Sequence, residues 1–183
     1  MKNIHIITGG PASGKTTLIR ALRKKGFKCF DEVAREIIKE QLACKGDIVP
    51  WIKLAEFNLL VLERQINQHL GVGDELHFFD RGIPDNIAYL TNGNLPVHPA
   101  LNEASKKHRY NEKVFFLEPW REIYKNDAVR KEPFDAAVKI SEHIKNAYLD
   151  LGYEVIVVPK VSVKERVSFI LSYVGSNEKK KND

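Results

Sequence analysis

The chain has 183 residues, 43% of them hydrophobic and 29% charged, which fits one domain with a sizeable core. It shows no long apolar run and no leader-like start, so we expect a cytoplasmic protein without a membrane span or signal peptide. Its net charge of +5 suits a polyanionic ligand without implying nucleic acid, and two cysteines with six scattered histidines form neither a disulfide framework nor a metal-ligand pattern.

Ile4 to Ile7 is short, apolar and β-branched, and reads as a first strand. It runs into Gly9-Gly10-Pro11-Ala12-Ser13-Gly14-Lys15-Thr16, which satisfies the phosphate-binding pattern G-x-x-x-x-G-K-[ST]. Leu18, Ile19 and Leu22 then recur at helical spacing until Gly26. Strand, loop and helix follow in the order that such a loop requires. Its glycines let successive N–H groups surround an anion at the positive end of a helix. Lys15 would reach β- and γ-phosphates, and the Thr16 hydroxyl would ligate Mg²⁺.

Phe27 to Phe30 predicts a second strand, handing over to Asp31-Glu32-Val33-Ala34-Arg35-Glu36. Ligands bind outside the carboxyl ends of parallel strands, and Glu32, Arg35 and Glu36 would share one side of a starting helix there. After a break over Lys45 to Pro50, the segment Trp51 to Leu70 predicts a long helix. Its expected apolar face is Trp51, Leu54, Ala55, Leu59, Leu62, Ile66 and Leu70.

Leu76 to Asp80 predicts a strand ending in a carboxylate placed to orient Mg²⁺ through water, with Arg81 following as a phosphate-binding guanidinium. Ile83 onward begins as a helix through Leu90, and Asn92 to Pro99 is rich in turn residues. Val114 to Leu117 is the next strand. The charged segment Glu118 to Pro133 suits a mobile lid in which Arg130 would stabilise charge on a transferring phosphoryl group. Phe134 to Leu151 is a helix, Glu154 to Val158 the final strand, and Ser162 with Glu165 a capping box opening the last helix. Alternating strands and helices predict an α/β fold with a five-stranded parallel sheet covered on both faces. Residues 1–175 are expected to form this single domain, and the lysine-rich 176–183 a disordered polar tail.

With these residues placed, the chain resembles the P-loop AAA-type ATPase and kinase family. That family includes the nicotinamide-riboside-kinase domain of bacterial NAD regulator proteins and a phosphoinositide- and GTP-binding trafficking protein. The shared marks are the loop, E-x-x-R-E at Glu32, Arg35 and Glu36, the strand ending at Asp80, and D-x-x-R at Asp127 and Arg130. The resemblance implies a P-loop fold of nucleoside- or nucleotide-kinase type with Mg-nucleotide at Gly9 to Thr16 and Thr17. ATP is the expected nucleotide and GTP the alternative. It also implies a lid carrying Arg130. Where the riboside-kinase domain has Asp-x-Asp, this chain has Asp80-Arg81-Gly82, so Gly82 is expected to leave room there and nicotinamide riboside to be a poor acceptor. Asp-Arg at this point is similar to nucleoside and nucleotide kinases, with Glu32 as base and Glu32, Arg35 and Arg81 on the substrate.

The leading expectation is an ATP- and Mg²⁺-dependent phosphotransferase or ATPase with Lys15, Asp80, Arg130 and Glu32 as catalytic groups, Thr16 and Asp80 on the metal, and an unassigned small-molecule acceptor. A nucleotide-dependent binding module for a lipid or protein partner is the second reading. A nucleic-acid end kinase is the third.

Overall fold

The computed structural model describes residues 2–124 and 133–174. Five parallel strands form one sheet in the order β2-β3-β1-β4-β5, with β1 Ile4–Gly9, β2 Lys28–Phe30, β3 His77–Asp80, β4 Lys113–Leu117 and β5 Glu154–Val157. Alternate residues of the inner strands supply two cores, as the two-residue strand period demands. On one face, Ile7, Phe78 and Phe115 meet Leu18 and Leu22 of α1 (Lys15–Lys24) and Val167 and Ile170 of α7 (Val163–Val174). On the other, Ile6, Phe79 and Phe116 meet α4 (Ile83–Asn92) through Ile83 and α6 (Phe134–Asp150) through Ile140 and Ile144.

A smaller cluster of Val33, Ile37, Phe57 and Val61 joins α2 (Val33–Ala43) to α3 (Leu54–Gly71). Because β1 lies between β3 and β4, the chain changes sides across it, and the crevice for a ligand opens beyond the carboxyl ends of β1 and β3.

The expected strands and the Ser162–Glu165 capping box are present: Ser162 N donates to Glu165 Oε2 at 3.1 Å and Glu165 N to Ser162 Oγ at 3.3 Å. Two expectations need correction. The helix expected from Trp51 begins at Leu54, Trp51 lies in the preceding turn at 57% exposed, and Leu59 and Leu70 face outward. Of the expected face Leu62 is buried, and the other buried residues are Phe57, Asn58, Val61, Gln65 and His69, because the helix packs against α2 and α4 and lines a cavity beside Asn86, which donates to Gln65. The turn-rich stretch Asn92 to Pro99 leads into a further helix, α5 (Pro99–Lys107), which has Pro99 at its first turn and the His98 side chain accepting from Ala100 N at 3.2 Å. Among the described residues, no helix is long and apolar enough to cross a membrane.

Candidate active site

The 9–16 loop joins β1 to α1, and its residue types follow from its geometry. Gly9 has φ +136°, and a Cβ there would stand 2.1 Å from the Leu117 carbonyl oxygen, so only glycine lets the loop leave the sheet at this point. Gly14, at φ +91°, turns the chain into the first turn of α1 and leaves its N–H groups facing the loop. Lys15 is buried, and its Nζ donates to the carbonyl oxygens of Gly9 at 3.1 Å and Gly10 at 2.7 Å. Ser13 Oγ also donates to Gly10 O, at 2.9 Å. The ammonium group thus lies across the mouth of the loop. Pro11 and Ala12 form its crest, while Thr16 is half-buried and Thr17 exposed on the first turn of α1.

β3 pairs with β1 so that Asp80 stands opposite Ile7, at the same sheet edge as the loop. Burial and then the Glu32 carboxylate push the Asp80 carboxyl up to about 6, against the opposing pull of Lys15 and Arg81. Its Oδ1 has no hydrogen-bond partner among the described residues. An orphaned buried carboxylate oxygen together with the Thr16 hydroxyl is the hard oxygen donor set that Mg²⁺ favours. These two residues could hold it.

Arg81 follows with φ +74°, a left-handed backbone that a non-glycine residue adopts at a cost. Its side chain turns inward. Nε donates to Glu32 Oε1 at 3.0 Å, and Nη1 donates to Asp85 Oδ1 at 2.8 Å and Gly9 O at 3.1 Å. Glu32 sits at the start of α2 with Arg35 Nε 3.8 Å from its other oxygen, while Glu36, expected on the same side, is exposed. Asp85 accepts in addition from Thr8 Oγ1 at 2.6 Å, Gly82 N at 3.0 Å and Tyr148 Oη at 2.7 Å. The guanidinium is therefore the strut between two buried carboxylates.

These groups close one end of a cavity of about 290 Å³ that also touches Pro11 of the loop. Its walls are apolar, with Phe57, Leu54 and Ile140, and Trp51 stands at its rim. Deeper in, Asn86 Nδ2 donates to Gln65 Oε1 at 2.8 Å between two buried side chains. Of the residues expected from the sequence, the fold gathers the loop, Glu32, Arg35, Asp80 and Arg81 at one sheet edge. Arg130 and Asp127 both lie outside the described residues. The fold adds Asp85, Gln65, Asn86 and Tyr148, which the sequence does not single out. The four-residue step from Arg81 to Asp85 on a helical start was the available signal for the first of these.

Gly82 does not leave room for a substrate-facing group. A Cβ there would meet Tyr110 Cε2 at 2.8 Å, Tyr148 Oη at 2.9 Å and Ile6 Cδ1 at 3.1 Å, so the position faces the core. The second carboxylate at this edge comes from Asp85, and the expected exclusion of nicotinamide riboside loses its ground.

The sequence of residues 4–166 matches the family described as an AAA domain. No curated protein matches the sequence. The structure is similar to a thymidylate kinase from Ehrlichia chaffeensis, with TM-score 0.63 and 12% identity over 94% of this chain and 99% of that one. It is similar to a deoxyadenosine kinase from M. mycoides, with TM-score 0.68 and 17% identity over 94% and 98% of the two chains. It also resembles a NadR protein solved with NAD and AMP-PNP, with TM-score 0.70 and 15% identity over 95% of this chain and 50% of that one. At these identities the likeness is one of fold, the parallel-sheet P-loop fold of nucleoside and nucleotide kinases.

Proposed function

The chain belongs to the AAA domain family, and on that premise we propose that it is an ATP- and Mg²⁺-dependent kinase of a small, non-phosphorylated acceptor of nucleoside type. The observation that carries this reading is the joining of the phosphate-binding loop, through Pro11, to a cavity whose inner end bears Glu32, Arg81 and Asp85. A donor triphosphate on the loop and an acceptor in the cavity then meet at the carboxyl end of β1. The γ-phosphoryl group passes to the acceptor oxygen, the hydroxyl proton goes to Glu32, and ADP leaves.

Glu32 suits the acceptor and Asp80 the donor, since Glu32 lines the cavity and Asp80 does not. When bound, Mg²⁺ neutralises charge on the phosphate oxygens. Lys15, which donates to two loop carbonyls, would turn to those oxygens, and the Asp80 Oδ1 and Thr16 hydroxyl would hold the metal.

Charge argues for a nucleoside over a nucleoside monophosphate. The charge of Arg81 is already met by Glu32 and Asp85, with Nη2 alone lacking a hydrogen-bond partner among the described residues, so a second phosphate in the cavity would meet a guanidinium neutralised by two buried carboxylates. The Gln65–Asn86 pair, in either amide orientation, leaves one donor and one acceptor for the edge of a planar base. Apolar walls cover the faces of such a ring.

The test is a thermal-shift panel of nucleotides with and without Mg²⁺, followed by ADP release with ATP alone, nucleosides, nicotinamide riboside and nucleoside monophosphates. Stabilisation by Mg·ATP and a phosphorylated nucleoside product are expected. Strong turnover confined to monophosphates would overturn the charge argument. Nucleotide binding without product from any acceptor would replace the kinase with a nucleotide-dependent binding module.

A further inference from the structure

Arg166 lies on α7, across the loop from the acceptor cavity, and is 5% exposed. Among the described residues it forms no ion pair, and its Nε has no hydrogen-bond partner. Its Nη1 comes within 2.9 Å of where a Cβ on Gly14 would stand, and its Cζ lies 5.5 Å from the centre of the Trp120 ring. Burial holds the guanidinium below its ordinary value. A buried charge without a counter-ion is costly, and the aromatic face returns a small part of that cost.

The neighbourhood adds to that cost. Gly14 is where α1 begins, so Arg166 adds positive charge beside the positive end of a helix and a ring of backbone N–H groups. An anion relieves both. We propose that Arg166 binds the phosphate chain of the nucleotide held by the 9–16 loop, reaching it from the last helix. This rests on the nucleotide-binding reading above. The guanidinium and the Trp120 ring are close enough to interact directly, which leaves no slot for a base between them, so the phosphates rather than the base are its ligand.

Arg166→Met keeps most of the volume and removes the charge, and Arg166→Lys keeps the charge without the fork. Each variant is melted alone and titrated with Mg·ATP, inorganic tripolyphosphate and adenosine. Arg166→Met is expected to melt at or above the wild-type temperature without ligand. It should bind Mg·ATP and tripolyphosphate about tenfold or more weakly, the size of a lost charge-assisted hydrogen bond. Arg166→Lys should recover part of that affinity, and adenosine should not distinguish the proteins. A lowered melting temperature with unchanged Mg·ATP affinity would make Arg166 a packing residue. Weaker binding of Mg·ATP with tripolyphosphate unaffected would make it a base platform. Either result overturns the proposal alone, whereas wild-type protein that binds no nucleotide removes the kinase reading with it.

Discussion

Arg81 Nε and Glu32 Oε1 meet at 3.0 Å with both side chains buried, tying the segment after β2 to the end of β3 directly beneath the acceptor cavity. Removing one member of a buried ion pair leaves the other uncompensated. Arg81→Met strands both Glu32 and Asp85 and should cost about 3–5 kcal/mol in urea unfolding. Glu32→Gln keeps a hydrogen-bond acceptor for Arg81 and should cost far less stability. In ADP-release assays it should lower turnover about 10²- to 10⁴-fold, the range for a lost acid–base group. Wild-type stability in Arg81→Met with a selective loss of acceptor affinity would make Arg81 a substrate contact instead of a strut.

Gly82 tests which way its position faces. Its backbone φ of −135° is ordinary, so the effect of a side chain there is purely steric. Gly82→Ala drives a methyl group against Tyr110 and the Tyr148 hydroxyl, and should cost about 1–3 kcal/mol by overpacking. The ranking of nucleoside acceptors by kcat/KM should stay as in the wild type. A changed ranking in folded variant protein would show that the position does touch the acceptor.

The loop, the five strands and Asp80 were legible because each is written locally: glycines at fixed spacing, β-branched or aromatic runs, and a carboxylate closing such a run. The phase of α3 was not. Asn58 and Gln65 lie on its buried face because their amides find partners there, Asn58 donating to Leu54 O and Gln65 accepting from Asn86, so hydrophobic periodicity pointed to Leu59 and Leu70, which are exposed. Asp85 reads in sequence like any acid in the first turn of a helix, and only the return of β1, β3 and α6 to one point gives it Thr8, Arg81 and Tyr148 as donors. Arg166 stands beside the capping Glu165 in a charged stretch that suggests a solvated face. Its burial depends on Gly14 and Trp120, both distant in sequence.

His5 lies in the core beside the rings of Phe78 and Phe115, with centroids 5.9 and 5.8 Å away, and burial holds its imidazole down to about 4. The unfolded chain takes up that proton near its ordinary value of 6.5, so it binds more protons than the folded one between the two values. Stability from this group is therefore complete above about 6.5 and falls as pH drops towards 4, by about 3 kcal/mol at the lower end. Asp80 runs the other way across part of the same window. The measurement is accordingly the difference between wild type and His5→Phe in urea midpoint from pH 7 to pH 4.5. The wild type should lose ground steadily to the variant as pH falls. A constant difference would mean that His5 titrates alike in both states.

Asp80 sets stability against function. Its folded carboxyl keeps a proton up to about 6, where the unfolded group releases it near 3.8, so its contribution to stability is greatest in acid and is lost as pH rises through 6. At pH 7.5 the folded protein holds a buried carboxylate close to that of Glu32. Asp80→Asn removes this charge and should stabilise the ligand-free protein at pH 7.5 by about 3 kcal/mol at most, with the gain vanishing near pH 4. The same change turns the carboxylate proposed to orient Mg²⁺ through water into a neutral amide with a single acceptor oxygen. It should lower Mg²⁺-dependent turnover about tenfold to hundredfold while leaving the affinity for adenosine alone unchanged. Melting curves at both pH values and a Mg²⁺ titration of ADP release decide the matter together. A variant that is less stable at pH 7.5 and fully active would place Asp80 among the structural residues of β3.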